Sequence, residues 1–224
     1  MPRHMASTLT DTRPLLLGVD TSGAWIRAAL LAGPRVLART DIAMARGQGE
    51  RLFPVLETLL QEAGSDWPAL AALGVGIGPG NFTGIRISVA AARGLALGLG
   101  VPAIGVSILE ACAEGLPRPL WVVEDARRDQ IYAQHFNGGD DAPRLLDCAD
   151  IPAVITGGAV TGSAAALVAG QTGLPVMEPA CPLAEGIARV AMRRLDQSHP
   201  RPAPLYLRAA DAAPPRDPAP ALLP

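Results

Sequence analysis

The stretch from Leu73 to Val106 constrains the fold most. It begins with an apolar run, Leu73–Ile77, and passes through Gly78-Pro79-Gly80-Asn81-Phe82-Thr83. It continues as a segment whose charges are Arg86 and Arg93, and it ends in a second apolar run, Pro102–Val106. Short apolar runs bounded by Gly and Pro read as buried strands, and the longer segment between them reads as a helix over about Thr83–Leu99. Within it Gly84, Ser88, Ala92, Ala96 and Gly100 recur every four residues. All are small, so another helix can approach closely. Ile85, Val89, Leu95 and Leu99 make the next face apolar as well. A helix apolar nearly all round needs cover on several sides. Both the chain's own second half and a partner subunit fit that need.

The other elements follow from periodicity. Leu15–Asp20, Trp25–Leu31 and Arg35–Asp41 read as three strands joined by tight turns, an antiparallel meander. Over Gly49–Ala63 the period changes: Leu52, Val55, Leu56, Leu59 and Ala63 form a helical stripe, with Phe53 and Leu60 widening it. Pro54 falls in the first turns of that helix, where it is tolerated. After Val106 a short helix is expected at about Ser107–Glu114, then strands at Leu120–Glu124, Gln130–Phe136 and Ala153–Thr156. Helices are expected at Ser163–Ala169 and Ala184–Leu195, and a last short strand at Leu205–Arg208. Residues 1–13 read as a disordered N-terminus, and 212–224 as a Pro/Ala-rich tail. The order β-β-β-α-β-α-β-α describes an α/β protein with a mixed sheet flanked by helices. It matches the ribonuclease-H-like half of actin-like folds.

Composition excludes several chemistries. The 19 basic residues are all Arg; there is no Lys among the 224 residues. A chain without Lys has no Walker A loop, kinase-type lysine or Schiff-base lysine of its own. The histidines are His4, His135 and His199, too few and too scattered for a multi-histidine metal site. Cys112, Cys148 and Cys181 form no CxxC pair and fit a reducing compartment. A formal net charge of −2 shows no overall basic excess for nucleic acid. The N-terminus has no apolar signal segment, and Arg86 and Arg93 argue for a buried helix over a membrane span, so a cytoplasmic protein is expected.

Three segments could carry chemistry. The glycine loop is no dinucleotide fingerprint, since the last glycine of GxGxxG falls on Asn81. Its Gly78, Gly80 and Thr83 form an anion-site candidate at a helix N-terminus, with Thr83 the favoured N-cap and Asn81 the weaker one. A plain strand-to-helix connection fits the same residues. Asp20, at the end of the first strand, and Glu124, in a later one, are carboxylates of the kind that a metal-dependent hydrolase or nuclease of this fold would use. Ordinary strand-end and turn roles fit them too. Gly105-Val-Ser107-Ile-Leu109 lacks the final Gly of a nucleophile elbow, and His135 alternates with strand neighbours.

GVDTS at Gly18–Ser22, the helix at Glu50–Leu60, GIGPGNFTGIRISVAAARGLALGLGVPAIGVSILEA at 76–111 and PLYLRAAD at 204–211 together resemble the TsaB (YeaZ) family, over most of the chain from Leu15 to Asp211. GPGNFTGIRIS is close to the family's GPGSFTGLRIG-like hallmark, with Asn81 where Ser is usual. The resemblance implies two lobes of the actin-like ATPase superfamily, here 14–107 and a smaller, degenerate 108–211. It implies a non-catalytic subunit that forms a heterodimer with the catalytic homologue TsaD and works with the ATPase TsaE. Their joint product is threonylcarbamoyl-modified adenosine in tRNA. It also implies homodimers, indirect contact with tRNA, and ATP or ADP only in the assembled complex. In catalytic relatives two histidines four residues apart can hold a metal; those positions here are Ile108 and Cys112. Gln48 stands where relatives often have His. The interface implied by the resemblance uses the two first-lobe helices, through Leu52, Leu56, Leu60, Gly84, Ile85, Ser88, Val89, Ala92 and Ala96.

Overall fold

The computed structural model describes residues 13–139 and 141–208. The expected N-terminal segment before Arg13 and the expected tail at 212–224 lie outside the described residues.

Leu15–Asp20 (β1), Trp25–Ala32 (β2) and Arg35–Ala43 (β3) form the antiparallel meander. Leu70–Gly76 (β4) and Ala103–Val106 (β5) then add in parallel, giving the order β3-β2-β1-β4-β5. Parallel neighbours need a crossover, and Phe82–Leu99 (α2) supplies it. β1 and β4 are buried on both faces, which is why they read as unbroken apolar runs and not as alternations.

Gln48–Glu62 (α1) lays Leu52, Leu56, Leu59 and Leu60 over Leu17, Ile26 and Leu30. Beside it α2 sets Ile85, Val89 and Ala92 against Val75. Each such buried side chain contributes about 1.5–3 kcal/mol relative to exposure. The opposite face of the sheet is covered by Ile108–Cys112 (α3) and, from far along the chain, Leu183–Arg193 (α6). Leu16, Ala72 and Ile104 meet Ile187, Val190 and Ala191 there.

Leu120–Arg127 (β6), Gln130–Phe136 (β7), Arg144–Asp147 (β8) and Ala159–Thr161 (β9) form a second sheet in the order β8-β7-β6-β9. β6–β7 and β7–β8 are antiparallel and β6–β9 parallel, so it repeats the first sheet less its fifth strand. Ile151–Val154 (α4) and Ala165–Thr172 (α5) cover one face, packing on Trp121, Val123, Ile131 and Ala133. Ile108 and Leu109 of α3 pack on Leu120 and Val122 of the other. The two lobes with mixed sheets and flanking helices are thus present.

Several expectations need correction. The cut at 107/108 separates the sheets but not the layers, because α6 belongs by packing to the first sheet. Ala153–Thr156 is not a strand. Pro152 stands in the first turn of α4, where its missing N–H costs nothing, and Gly157 and Gly158 at φ +69° and +77° turn the chain into the true strand, β9. Leu205–Arg208 is not a strand: it is irregular and bends at residues 207–208. The N-cap of α2 is Asn81, whose Oδ1 accepts from Gly84 N at 2.8 Å, and Thr83 lies inside the helix.

Candidate functional site

The interface residues expected from the resemblance lie mostly inside the chain. Leu52, Leu56, Leu60, Ile85, Ser88, Val89 and Ala92 are all buried in its own core. Ala96 is half-buried against the α1 layer. Within the every-fourth stripe Gly84, Ser88 and Ala92 face β1 and β4, while Gly100 at its far end is open. Gly84 shows this best: a Cβ there would overlap the Thr21 carbonyl oxygen. Thr21 Oγ1 in turn donates to the Gly84 carbonyl at 2.6 Å. Ser88 Oγ faces the Gly76 and Ile85 carbonyls at 3.4 and 3.2 Å. These residues cannot touch another protein without opening the core.

The free apolar surface sits one face further round. Gly49 and Phe53 of α1, Trp67 after it, and Ile87, Ala90 and Gly94 of α2 line a groove of about 740 Å³. Phe53 is 43% exposed and Leu97, on the same helix as the groove's far wall, is 85% exposed. α2 is long and apolar enough to cross a bilayer, yet only 28% of it is buried. Its inner face is nonetheless packed on β4, and Arg86 and Arg93 stand exposed on its outer side. The result is an apolar face with two cations at its rim. Continuous apolar grooves of this kind mark docking or ligand surfaces. Gln48 fixes the start of α1, donating through Nε2 to the Gly23 and Trp25 carbonyls at 2.7 and 2.9 Å.

The glycine loop is tied up by the chain. Asn81 N donates to the Ser22 carbonyl at 2.6 Å, and Gly84 N is taken by the Asn81 cap. Gly78, at φ +96°, gives its carbonyl to Ile108 N. Gly80 lies hard against the Ser22 backbone, and Thr83 is exposed on the first turn of α2. The amides that an anion would need at the capped end are therefore partly engaged.

Between the lobes, three chemical groups lie close together. Asp20 is fully buried and accepts from Trp25 Nε1 at 2.7 Å, Ser22 Oγ at 3.0 Å and Ser22 N at 3.2 Å. Burial pushes its carboxyl above the ordinary value, with the Trp25 and Ser22 donors acting in the opposite direction. Glu124 accepts from Ser163 Oγ and from Cys112 Sγ, and burial raises it too. The Cys112 thiol is held well above its usual range, first by burial and then by Glu124. A low-pKa nucleophile needs the reverse environment. Ile108 is buried against the second sheet. Among the described residues no group of three or more His, Cys, Asp or Glu is placed to hold a metal ion. The donors on Asp20 come from its own β1–β2 turn and all reach Oδ2, leaving Oδ1 buried without a partner among the described residues, whereas Glu124 is held by Ser163 and Cys112.

The comparisons with known proteins are consistent with this geometry. Residues 42–164 match the family model described as TsaD, tRNA N6-adenosine threonylcarbamoyltransferase. An uncharacterized protein of Mycobacterium tuberculosis is 34% identical over 206 residues, 89% of this chain and 94% of its own length. The tRNA threonylcarbamoyladenosine biosynthesis protein TsaB of Escherichia coli is 34% identical over 122 residues; the match spans 52% of each chain, about half the length of that relative. The structure of YeaZ from Pseudomonas aeruginosa superposes with a TM-score of 0.66 at 25% identity, covering 87% of this chain and 100% of that one. Component A of the (R)-2-hydroxyglutaryl-CoA dehydratase of Acidaminococcus fermentans, at 12% identity and a TM-score of 0.55, shares the fold alone. On these matches, with the Gly76–Ala111 segment and the paired mixed sheets, the chain belongs to the TsaB (YeaZ) family.

Proposed function

We propose that this chain is a non-catalytic subunit of a bacterial system that makes threonylcarbamoyladenosine in tRNA. In this reading it docks a TsaD-type transferase on the groove between α1 and α2, and a TsaE-type ATPase joins the complex. The observation that carries the docking is the exposed apolar outer face of α2, with Ala90, Gly94 and Leu97 on it. The names of the relatives support the pathway. The engagement of Asp20 by Trp25 and of Glu124 by Ser163 and the Cys112 thiol supports the non-catalytic role. A second copy of the chain takes the same face when the transferase is absent. Nucleotide and tRNA are met only through the assembled complex, in the cytoplasm.

The test is co-purification with the TsaD-type protein of the same organism, followed by a tRNA modification assay with and without this chain. Ala90→Glu places a charge in the groove on an exposed position. It is expected to abolish co-purification and modification while circular dichroism and Tm stay at wild-type values. Undiminished co-purification of a folded Ala90→Glu protein overturns the proposed docking face. Modification that proceeds equally well without the chain overturns the supporting role.

A further inference from the structure

The C-terminal end of the described chain touches both lobes in seven residues. Pro202 is buried beside Gly105, next to the end of β5. Leu205 N donates to the Ile77 carbonyl at 2.8 Å, just past β4. The Leu205 carbonyl lies where a Cβ on Gly78 would meet it, and the φ of +96° there disfavours any other residue. Tyr206 stacks on Phe82 of α2, with ring centroids 4.5 Å apart and planes 25° from parallel. The Arg86 guanidinium lies 3.8 Å from the Phe82 ring centroid, and Arg86 Nε donates to the Tyr206 hydroxyl at 2.9 Å. Two residues later Arg208 reaches the second lobe, where its Nη2 donates to the Arg127 carbonyl and to the Gln130 side chain.

The place where Arg208 lands is strained. Arg127, Arg128 and Asp129 sit at φ +60°, +55° and +55°, three successive non-glycine residues in the left-handed region. Such residues cost on the order of 1–3 kcal/mol each and persist only where neighbours over-determine them. Here the constraints are the Asp125 carboxylate on Arg127 N, the Cys148 amide on the Asp129 carbonyl, and Arg208. The hairpin also walls a cavity of about 380 Å³ with Ser163, Cys148 and Leu167.

We propose that residues 202–208 act as a strap that transmits the state of the α2 N-terminal turn to the β6–β7 hairpin. Tyr206, stacked on Phe82 and bonded by Arg86, is its catch on the first lobe, and Arg208 is its catch on the second. Unseating Tyr206 withdraws Arg208, and the left-handed turn relaxes, reshaping the cavity beside it. The inference does not depend on what docks on α2.

Hydrogen–deuterium exchange of the full chain tests it. Arg208→Ala is expected to raise exchange in residues 125–130 by about tenfold, leaving β1 and β2 at wild-type rates. Tyr206→Ala, which removes ring and hydroxyl contacts to α2, is expected to raise exchange in the same hairpin as well as at residues 77–82. Tyr206→Phe keeps the stack but loses the hydroxyl, and is expected to give a smaller rise at both places. Hairpin exchange at the wild-type rate in a folded Tyr206→Ala protein overturns the strap. If Tyr206→Ala destabilises the whole protein, raising exchange in β1 and β2 too, Tyr206→Phe decides: a rise confined to 77–82 overturns the proposal, and a rise at both sites supports it.

Discussion

Cys112 Sγ donates to Glu124 Oε1 across 3.6 Å, joining the helix that lies between the sheets to the central strand of the second sheet. Glu124 is half-buried, and the loss of solvent around its carboxyl raises it above the ordinary value. A carboxyl whose folded pKa is raised binds more protons in the folded state than in the unfolded one. Its contribution to stability is full below the unfolded value, about 4.3, and is lost as pH rises through the folded value. Asp20 acts in the same sense. Glu124→Gln removes one of these ionisations. The stability of wild type minus that of Glu124→Gln is therefore expected to fall as pH rises above the unfolded carboxyl value. Urea unfolding at several pH values measures it, and a difference that rises with pH contradicts the assignment.

Ser88→Glu separates the buried stripe from the docking face. Ser88 is completely buried against β4, so a glutamate there places an unpaired charge in the core. The expected cost is about 3–5 kcal/mol, enough to leave little folded protein. Ala90→Glu, two residues on, is expected to leave Tm within about 2 °C of wild type, as surface changes do. Thermal unfolding of the two variants side by side is the measurement.

Gly84→Ala probes the close approach of α2 to β1. The added methyl would overlap the Thr21 carbonyl, although alanine is the better helix former. Packing is expected to win, with a net loss of about 1–3 kcal/mol by denaturant unfolding. A gain in stability would mean that α2 can shift away from Thr21 at little cost.

Asn81→Ala removes the cap on Gly84 N. The expected loss is about 1 kcal/mol, a fall in Tm of roughly 2–4 °C for a chain of this size. Asn81→Ser, which restores the oxygen on a shorter side chain, is expected to recover most of it.

Much of the architecture was written in local patterns. The unbroken apolar runs of β1 and β4 mark strands buried on both faces, and the stripe of α1 follows from the 3.6-residue period of a helix. The hallmark segment from Gly76 to Ala111 was enough to point to the family, because its glycines and its small-residue stripe answer packing demands that few folds make. The absence of Lys by itself excludes whole classes of chemistry. What the sequence could not determine was which side of an apolar helix faces inward. Gly84, Ser88 and Ala92 look like a partner's groove until Thr21 and Gly76 are seen against them. The same holds for α6, whose periodicity marks a buried stripe but not which sheet it covers. The left-handed Arg127–Asp129 turn carries no Asn-Gly signal, so it was invisible too. Periodicity records that a face is apolar. Only the long-range packing of segments tens of residues apart decides whether that face is core, lobe contact or open surface.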